Sequence, residues 1–257
     1  MSSFGEVPQE ITEATLDRRK TFERGMCLAP PAILSLSAVL VLMFVVQLIG
    51  GFGWLELKGQ GFDPDLFIRM GALHRESVFR GEWWRLSSSM LLHGNPGHLV
   101  GNLIALYVLG VAVEHAYGWQ WTLILFTAAG IGGSLASLGS ALPTVGASGA
   151  IFGLLAGAIV FFRVHERRIV KPDKRIAFIL GAWAIYSLAT GWLSPEIANL
   201  AHFGGFIAGG LSAYFMPNRI FSAPKGDVAS DARFLFWISL AVLGLGCAHI
   251  LQSALLK

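Results

Sequence analysis

Residues 148–162 read SGAIFGLLAGAIVFF. No charge interrupts them, a serine heads them, and glycines stand at every fourth position, Gly149, Gly153 and Gly157. As a helix the stretch would be about 22 Å long at 1.5 Å per residue. A bilayer's hydrocarbon core is roughly 30 Å thick. Arg163 begins a charge cluster at the far end, and that end belongs at an aqueous interface. Ser148 then falls below the opposite surface, within the membrane but within reach of water. Four-residue glycine spacing also predicts a neighbouring helix packed backbone to backbone.

The rest of the chain agrees with this membrane reading. It has 257 residues, 54% hydrophobic and 14% charged, with a mean hydropathy of +0.61. A soluble domain carries about a quarter charged residues. The shortfall excludes an ordinary cytosolic enzyme, a disordered tail and a nucleic-acid binder. A net charge of +3 is too small for a basic patch that grips phosphates. Thirty-one glycines in so apolar a chain suit close-packed membrane helices.

Working outward, charge-free or nearly charge-free runs predict seven spans: 32–54, 98–117, 119–138, 148–162, 175–193, 197–216 and 234–255. Gly118 alone separates the second from the third, so these two must be antiparallel neighbours. Residues 55–97 form a long first loop with amphipathic pieces, and Trp83, Trp84 and Arg85 near its end suit a membrane interface. With the N-terminus inside, thirteen lysines and arginines fall on the inner side and six on the outer. That bias places the N-terminus in the cytoplasm and the C-terminus outside. The expected organisation is a cytoplasmic tail (1–31), a six-helix core (32–216), and a linker with a seventh helix (217–257). The polar stretch before the first span is too long and too acidic for the n-region of a cleaved signal peptide. The missing targeting peptide favours a bacterial inner membrane. Cys27 and Cys247 are placed near opposite faces, too far apart for a disulfide.

Polar groups inside membrane spans are functional candidates. His98 and Asn102 share one face of span two through their i, i+4 spacing. Ser148 opens span four, and His202 lies about one turn into span six. These three spans run in the same direction, so all four residues share one depth near the outer ends. Span six carries its own small-residue ladder, Ala201, Gly205, Gly209 and Ala213. Packed against the ladder of span four, it brings the His202 ring towards Ser148.

That pair suggests a chemistry. A serine hydroxyl is a poor nucleophile until a base takes its proton. Histidine titrates in the right range to be that base, and later the acid for a leaving amine. A developing oxyanion needs donors, and the Ser148 N–H, the Asn102 amide and the His98 ring are at hand. Gly146 and Gly149 leave room for a substrate backbone. No aspartate or glutamate is expected beside these residues in the spans, which predicts a dyad in which packing orients His202.

The motifs resemble those of the rhomboid intramembrane serine proteases. Gly146 through Gly153 is similar to the family's G-x-S-G-x-x-F-G motif, with Ser148, Phe152 and Gly153 in place. Residues 201–209 resemble its A-H-x-x-G-x-x-x-G motif. His93, His98 and Asn102 fit H-x4-H-x3-N, and Trp84-Arg85 fits the first-loop W-R pair. The resemblance covers roughly residues 32–216. It implies an all-α fold, a six-transmembrane-helix rhomboid-like core to which this chain adds a seventh C-terminal transmembrane helix. It implies Ser148 as nucleophile, His202 as general base, and His98, Asn102 and the Ser148 N–H around the oxyanion. Gly146, Gly149, Phe152 and Gly205 would support them. It also implies cleavage of single-pass membrane proteins near the outer face, with span five and the first loop flanking substrate entry. The expected partners are such substrates and membrane lipid, with no nucleic acid, cofactor or metal.

His93 reads as a loop anchor, Trp84 and Arg85 as interfacial anchors, and His74, His115, His165 and His249 as interface or packing residues. His165-Glu166 lacks the second histidine of a zinc protease motif, and Gly226-Asp227 lies in a loop rather than a span. A non-catalytic rhomboid-like protein that binds transmembrane helices is the alternative. A transporter with span four as a half-helix would require paired repeats, and none is visible.

Overall fold

The computed structural model describes residues 27–50, 63–140, 142–165, 185, 198–217 and 228–255. The described chain is helical: α1 (Pro31–Ile49), α2 (Pro64–Met70), α3 (Arg75–Phe79), α4 (Arg85–Ser88), α5 (Pro96–Tyr117), α6 (Trp119–Ser137), α7 (Ser148–Val160), α8 (Asn199–Phe215) and α9 (Val228–Leu255). Among these residues α1, α5 and the Ala232–Leu255 part of α9 are long and apolar enough to cross a membrane. With this helical, apolar composition the chain is an integral membrane protein. The fifth span expected at 175–193 lies outside the described residues, apart from position 185, and so does the tail up to residue 26.

Local chemistry explains where the helices begin and end. The helix expected from His98 starts two residues earlier, at Pro96, because Asn95 caps it. The Asn95 side chain accepts the His98 N–H at 2.7 Å, and proline suits the first helical turn. Gly118, at φ 90°, makes the tight turn into α6. Past Val160 the chain continues as a π turn, Phe161–His165, into the charge cluster. The last helix starts at Val228, six residues before the expected Phe234.

The core of the bundle is α8 wedged between α6 and α7. On the α7 side, a side chain at Gly205 would collide with the Gly149 carbonyl, and one at Gly209 with Gly153. The ladders expected at 149–157 and 201–213 therefore do interlock. On the α6 side a second set of small residues meets the same helix. A Cβ at Gly133 would stand 2.6 Å from the Ala201 carbonyl oxygen, and one at Gly204 would stand 2.7 Å from that of Gly132. This second seam was not expected from the sequence. Its residues also stand four apart, Gly132 with Ala136 on α6 and Gly204 with Ala208 on α8.

Two buried polar side chains inside apolar helices also went unnoticed in the sequence. Glu114 is an acidic residue within a span, but it is remote from Ser148 and His202 and leaves the expectation of no carboxylate beside them untouched. It lies at the far end of α5, near its C-terminus, and accepts the Ala32 and Ile33 N–H groups at 3.2 and 3.1 Å. Those are first-turn donors of α1, whose own N-cap, Pro30, has no side chain to offer. Gln47 of α1 is wholly buried. It receives the His93 N–H and donates to the His93 carbonyl, both at 3.0 Å, so it clasps the loop backbone as a neighbouring strand would. Replacing Glu114 by alanine strands two buried donors, which costs about 1–3 kcal/mol. Thermal unfolding in detergent is expected to show a Tm several degrees lower for Glu114→Ala, and a smaller drop for Glu114→Gln, which keeps one acceptor. An unchanged Tm would mean that α1 does not need this cap.

Candidate active site

The first loop reaches the head of α7 through a series of fixed points. Arg85 is buried, pairs with Glu82 at 2.6 Å, and donates to the Ile68 and Ala72 carbonyls at 2.6 and 2.9 Å. It acts as an internal strut that ties the first loop together, the part of the interfacial-anchor reading that the contacts bear on. Ser88 donates to the Gly71 carbonyl at 2.6 Å. Leu73 and Thr144 exchange backbone hydrogen bonds at 3.0 Å, and the Gly146 N–H donates to the Ser89 carbonyl at 2.9 Å. The strand-like segment before Ser148 is thereby held on both sides. Gly146 follows at φ +121°, a backbone that L side chains rarely adopt, with the His98 ring in the place a Cβ would take.

Ser148 is the first residue of α7, and His202 lies in the first turn of α8. Backbone contact between the helices at Gly149, Ala201 and Gly205 sets the distance between their heads. The Ser148 Oγ and the His202 Nε2 are 2.8 Å apart, within hydrogen-bond reach. The His202 ring is buried and lies flat on Phe152, with centroids 4.4 Å apart and planes 10° from parallel. Its Nδ1 has no hydrogen-bond partner among the described residues. Phe152, one turn below Ser148, thereby sets the plane of the imidazole by packing.

His98 and Asn102 come to the same place from α5. A Cβ built on Gly146 would stand 2.8 Å from the His98 Nε2 and 3.7 Å from the Asn102 Nδ2. That amide nitrogen is buried without a hydrogen-bond partner among the described residues, a donor facing the space beside Gly146. His93 stacks edge-to-face on His98, with centroids 5.2 Å apart. Burial, and then the neighbouring His98, push the His93 imidazole down to about 3, so it stays neutral. The loop is anchored at this residue by Gln47 on its backbone, while neither ring nitrogen has a hydrogen-bond partner among the described residues. A small void, about the size that one water needs, lies among Ser89, Ser134, Thr144 and Gly149. Among the described residues, no group of three His, Cys, Asp or Glu side chains is placed to hold a metal ion. The arrangement therefore offers a hydroxyl beside an imidazole, and N–H donors on the side where an oxyanion would form.

A helical bundle in which a serine heads one short helix and a histidine lies in the first turn of another defines a class, and comparison with known proteins assigns it. The Rhomboid domain family model matches residues 80–219. The chain belongs to the rhomboid family. It is 36% identical over 205 residues to the rhomboid protease GluP of Bacillus subtilis, covering 79% of this chain and 39% of that protein. It is 33% identical over 219 residues to RHOMBOID-like protein 2 of Arabidopsis thaliana, covering 79% of this chain and 68% of that one. With the rhomboid protease AarA of Providencia stuartii it shares 33% over 168 residues, 56% of this chain and 59% of that protein. The chain thus spans well under half the length of the Bacillus relative, and its relatives come from bacteria, plants and a mammal.

Proposed function

We propose that the chain is an intramembrane serine endopeptidase that hydrolyses single-pass membrane proteins near the outer face. The observation that carries this is the 2.8 Å approach of Ser148 to a His202 ring stacked on Phe152, in a chain whose relatives include proteins named as rhomboid proteases. In this reading His202 Nε2 takes the Ser148 proton as Oγ attacks the scissile carbonyl. The proton then passes to the leaving amine, and water, activated by the same nitrogen, releases the acyl group. The Ser148 N–H at the head of α7, the Asn102 amide and the His98 ring receive the oxyanion, and the helix dipole favours the same charge. The His202 Nδ1, without a hydrogen-bond partner among the described residues, supports a dyad rather than a triad.

The same reading carries the finer topology. Residues 32–216 form the six-span core, with the fifth span at 175–193, and residues 217–257 supply a linker and a seventh span. The N-terminus is cytoplasmic, the C-terminus outside, and the membrane a bacterial inner membrane.

The test is cleavage of a panel of single-pass substrates by the chain in proteoliposomes, with fragments mapped by mass spectrometry. Fragments cut within or beside the substrate span are expected. A folded preparation that binds such substrates and leaves every one intact would replace this reading with that of a helix-binding protein.

A further inference from the structure

The last helix has a buried stripe at Leu243, Gly246 and Ile250, one face by helical spacing. That face meets the first loop. A Cβ at Gly246 would stand 3.0 Å from both the Ser87 Oγ and the Ser88 N. One turn on, the His249 ring stacks on Trp84, with centroids 4.2 Å apart and planes 16° from parallel. The Arg85 guanidinium lies 4.7 Å from the centre of the same Trp84 ring. The Trp84 ring also touches the turn at Gly71, where a Cβ would stand 2.9 Å from it.

These contacts line up with those that hold the segment before Ser148. Trp84 caps α4, and α4 runs straight into the 3-10 turn of Ser89–Leu91, whose Ser89 carbonyl takes the Gly146 N–H. The turn at Gly71 leads to Leu73, which pairs with Thr144. We infer that α9 is the back wall of the first loop and that His249 is a positioning residue. Through Trp84 it holds the loop that fixes the backbone of residues 144–146, and so the site of Ser148. The functional part of this inference rests on the protease reading above, but the mechanical part does not.

Hydrogen exchange on the full chain in detergent, together with cleavage kinetics in proteoliposomes, tests it. With His249→Ala, amides at 84–89 and 144–146 are expected to exchange about tenfold faster while those of α7 and α8 keep their protection. The kcat is expected to fall about fivefold with KM little changed, since the reacting groups and not the substrate are displaced. His249→Phe, which restores a flat ring, is expected to recover most of both. In a Trp84→Ala background, His249→Ala is expected to add nothing. Should His249→Ala disturb folding, Gly246→Val serves as the second probe, because it pushes α4 away without touching the stack. Unchanged exchange at 84–89 and 144–146 in both variants, or no rescue by phenylalanine, would overturn the inference. If the wild-type chain cleaves nothing, the protease reading fails while the exchange data still decide whether the clamp exists.

Discussion

Ser148→Ala is expected to lower cleavage of a single-pass substrate by about a thousandfold or more, to the limit of detection. His202→Ala is expected to do the same, and the double variant no worse than either single one. Groups that act as one unit are lost together. The 2.8 Å contact makes this coupling specific, because an unactivated hydroxyl and a base without a nucleophile are equally inert. The fold should be nearly indifferent. A single such hydrogen bond contributes about 0.5–1.5 kcal/mol, so the variants should unfold close to the wild-type temperature. Substrate cleavage that persists in Ser148→Ala would remove this residue as nucleophile. Loss of activity together with collapse of thermal stability would mean that the pair is structural.

The second large effect is expected at Gly205, which bears no reactive group. Its missing side chain is the space occupied by the Gly149 carbonyl. A leucine there has no flexible neighbour to displace, since it faces backbone. Overpacking a core side chain costs about 1–3 kcal/mol, and a backbone collision belongs at or above the top of that range. Gly205→Leu is therefore expected to lower stability by about 3 kcal/mol or more and cleavage by about a hundredfold, because separating α7 from α8 opens the Ser148–His202 distance. Gly101→Leu is the control. It has nothing within 4 Å of its Cβ position, and it should change neither quantity by much. Full activity in Gly205→Leu would contradict the claim that the two backbones set the distance between serine and histidine.

Much of this was legible in the sequence because it depended on spacing. Four-residue glycine and alanine ladders have one common use in a membrane, and their spacing alone aligns Ser148 with His202. His98 and Asn102 were found by the rule that polar groups in spans are functional. The same rule, applied evenly, would have flagged Gln47 and Glu114. Both lie in runs so apolar that one polar residue does not disturb the average, and their partners lie 46 and 81 or 82 residues away in sequence. No local pattern marks such a pairing. Arg85 and His249 were legible as residue types but not as contacts. Tryptophan and arginine near an interface usually face lipid headgroups, whereas here Arg85 turns inward to two carbonyls and Trp84 is covered by a helix about 165 residues downstream. The seam between α6 and α8 was missed although its residues also stand four apart, because Gly204 faces α6 while the adjacent Gly205 faces α7, so the ladder of Gly205 overlies that of Gly204.

α7 is also pinned along its length. Tyr117, at the end of α5, donates its hydroxyl to the Gly157 carbonyl at 3.1 Å, three residues before the helix ends at Val160. The other end is locked at Gly149 and Gly205. A short helix tethered at both ends cannot slide along its axis or rotate to suit its surroundings. In a thinner or thicker bilayer, hydrophobic mismatch must be met by tilt of the whole bundle or by deformation of the lipid around it. The depth of Ser148 relative to its neighbours is then a constant of the protein, and its depth relative to the membrane surface is a property of the lipid.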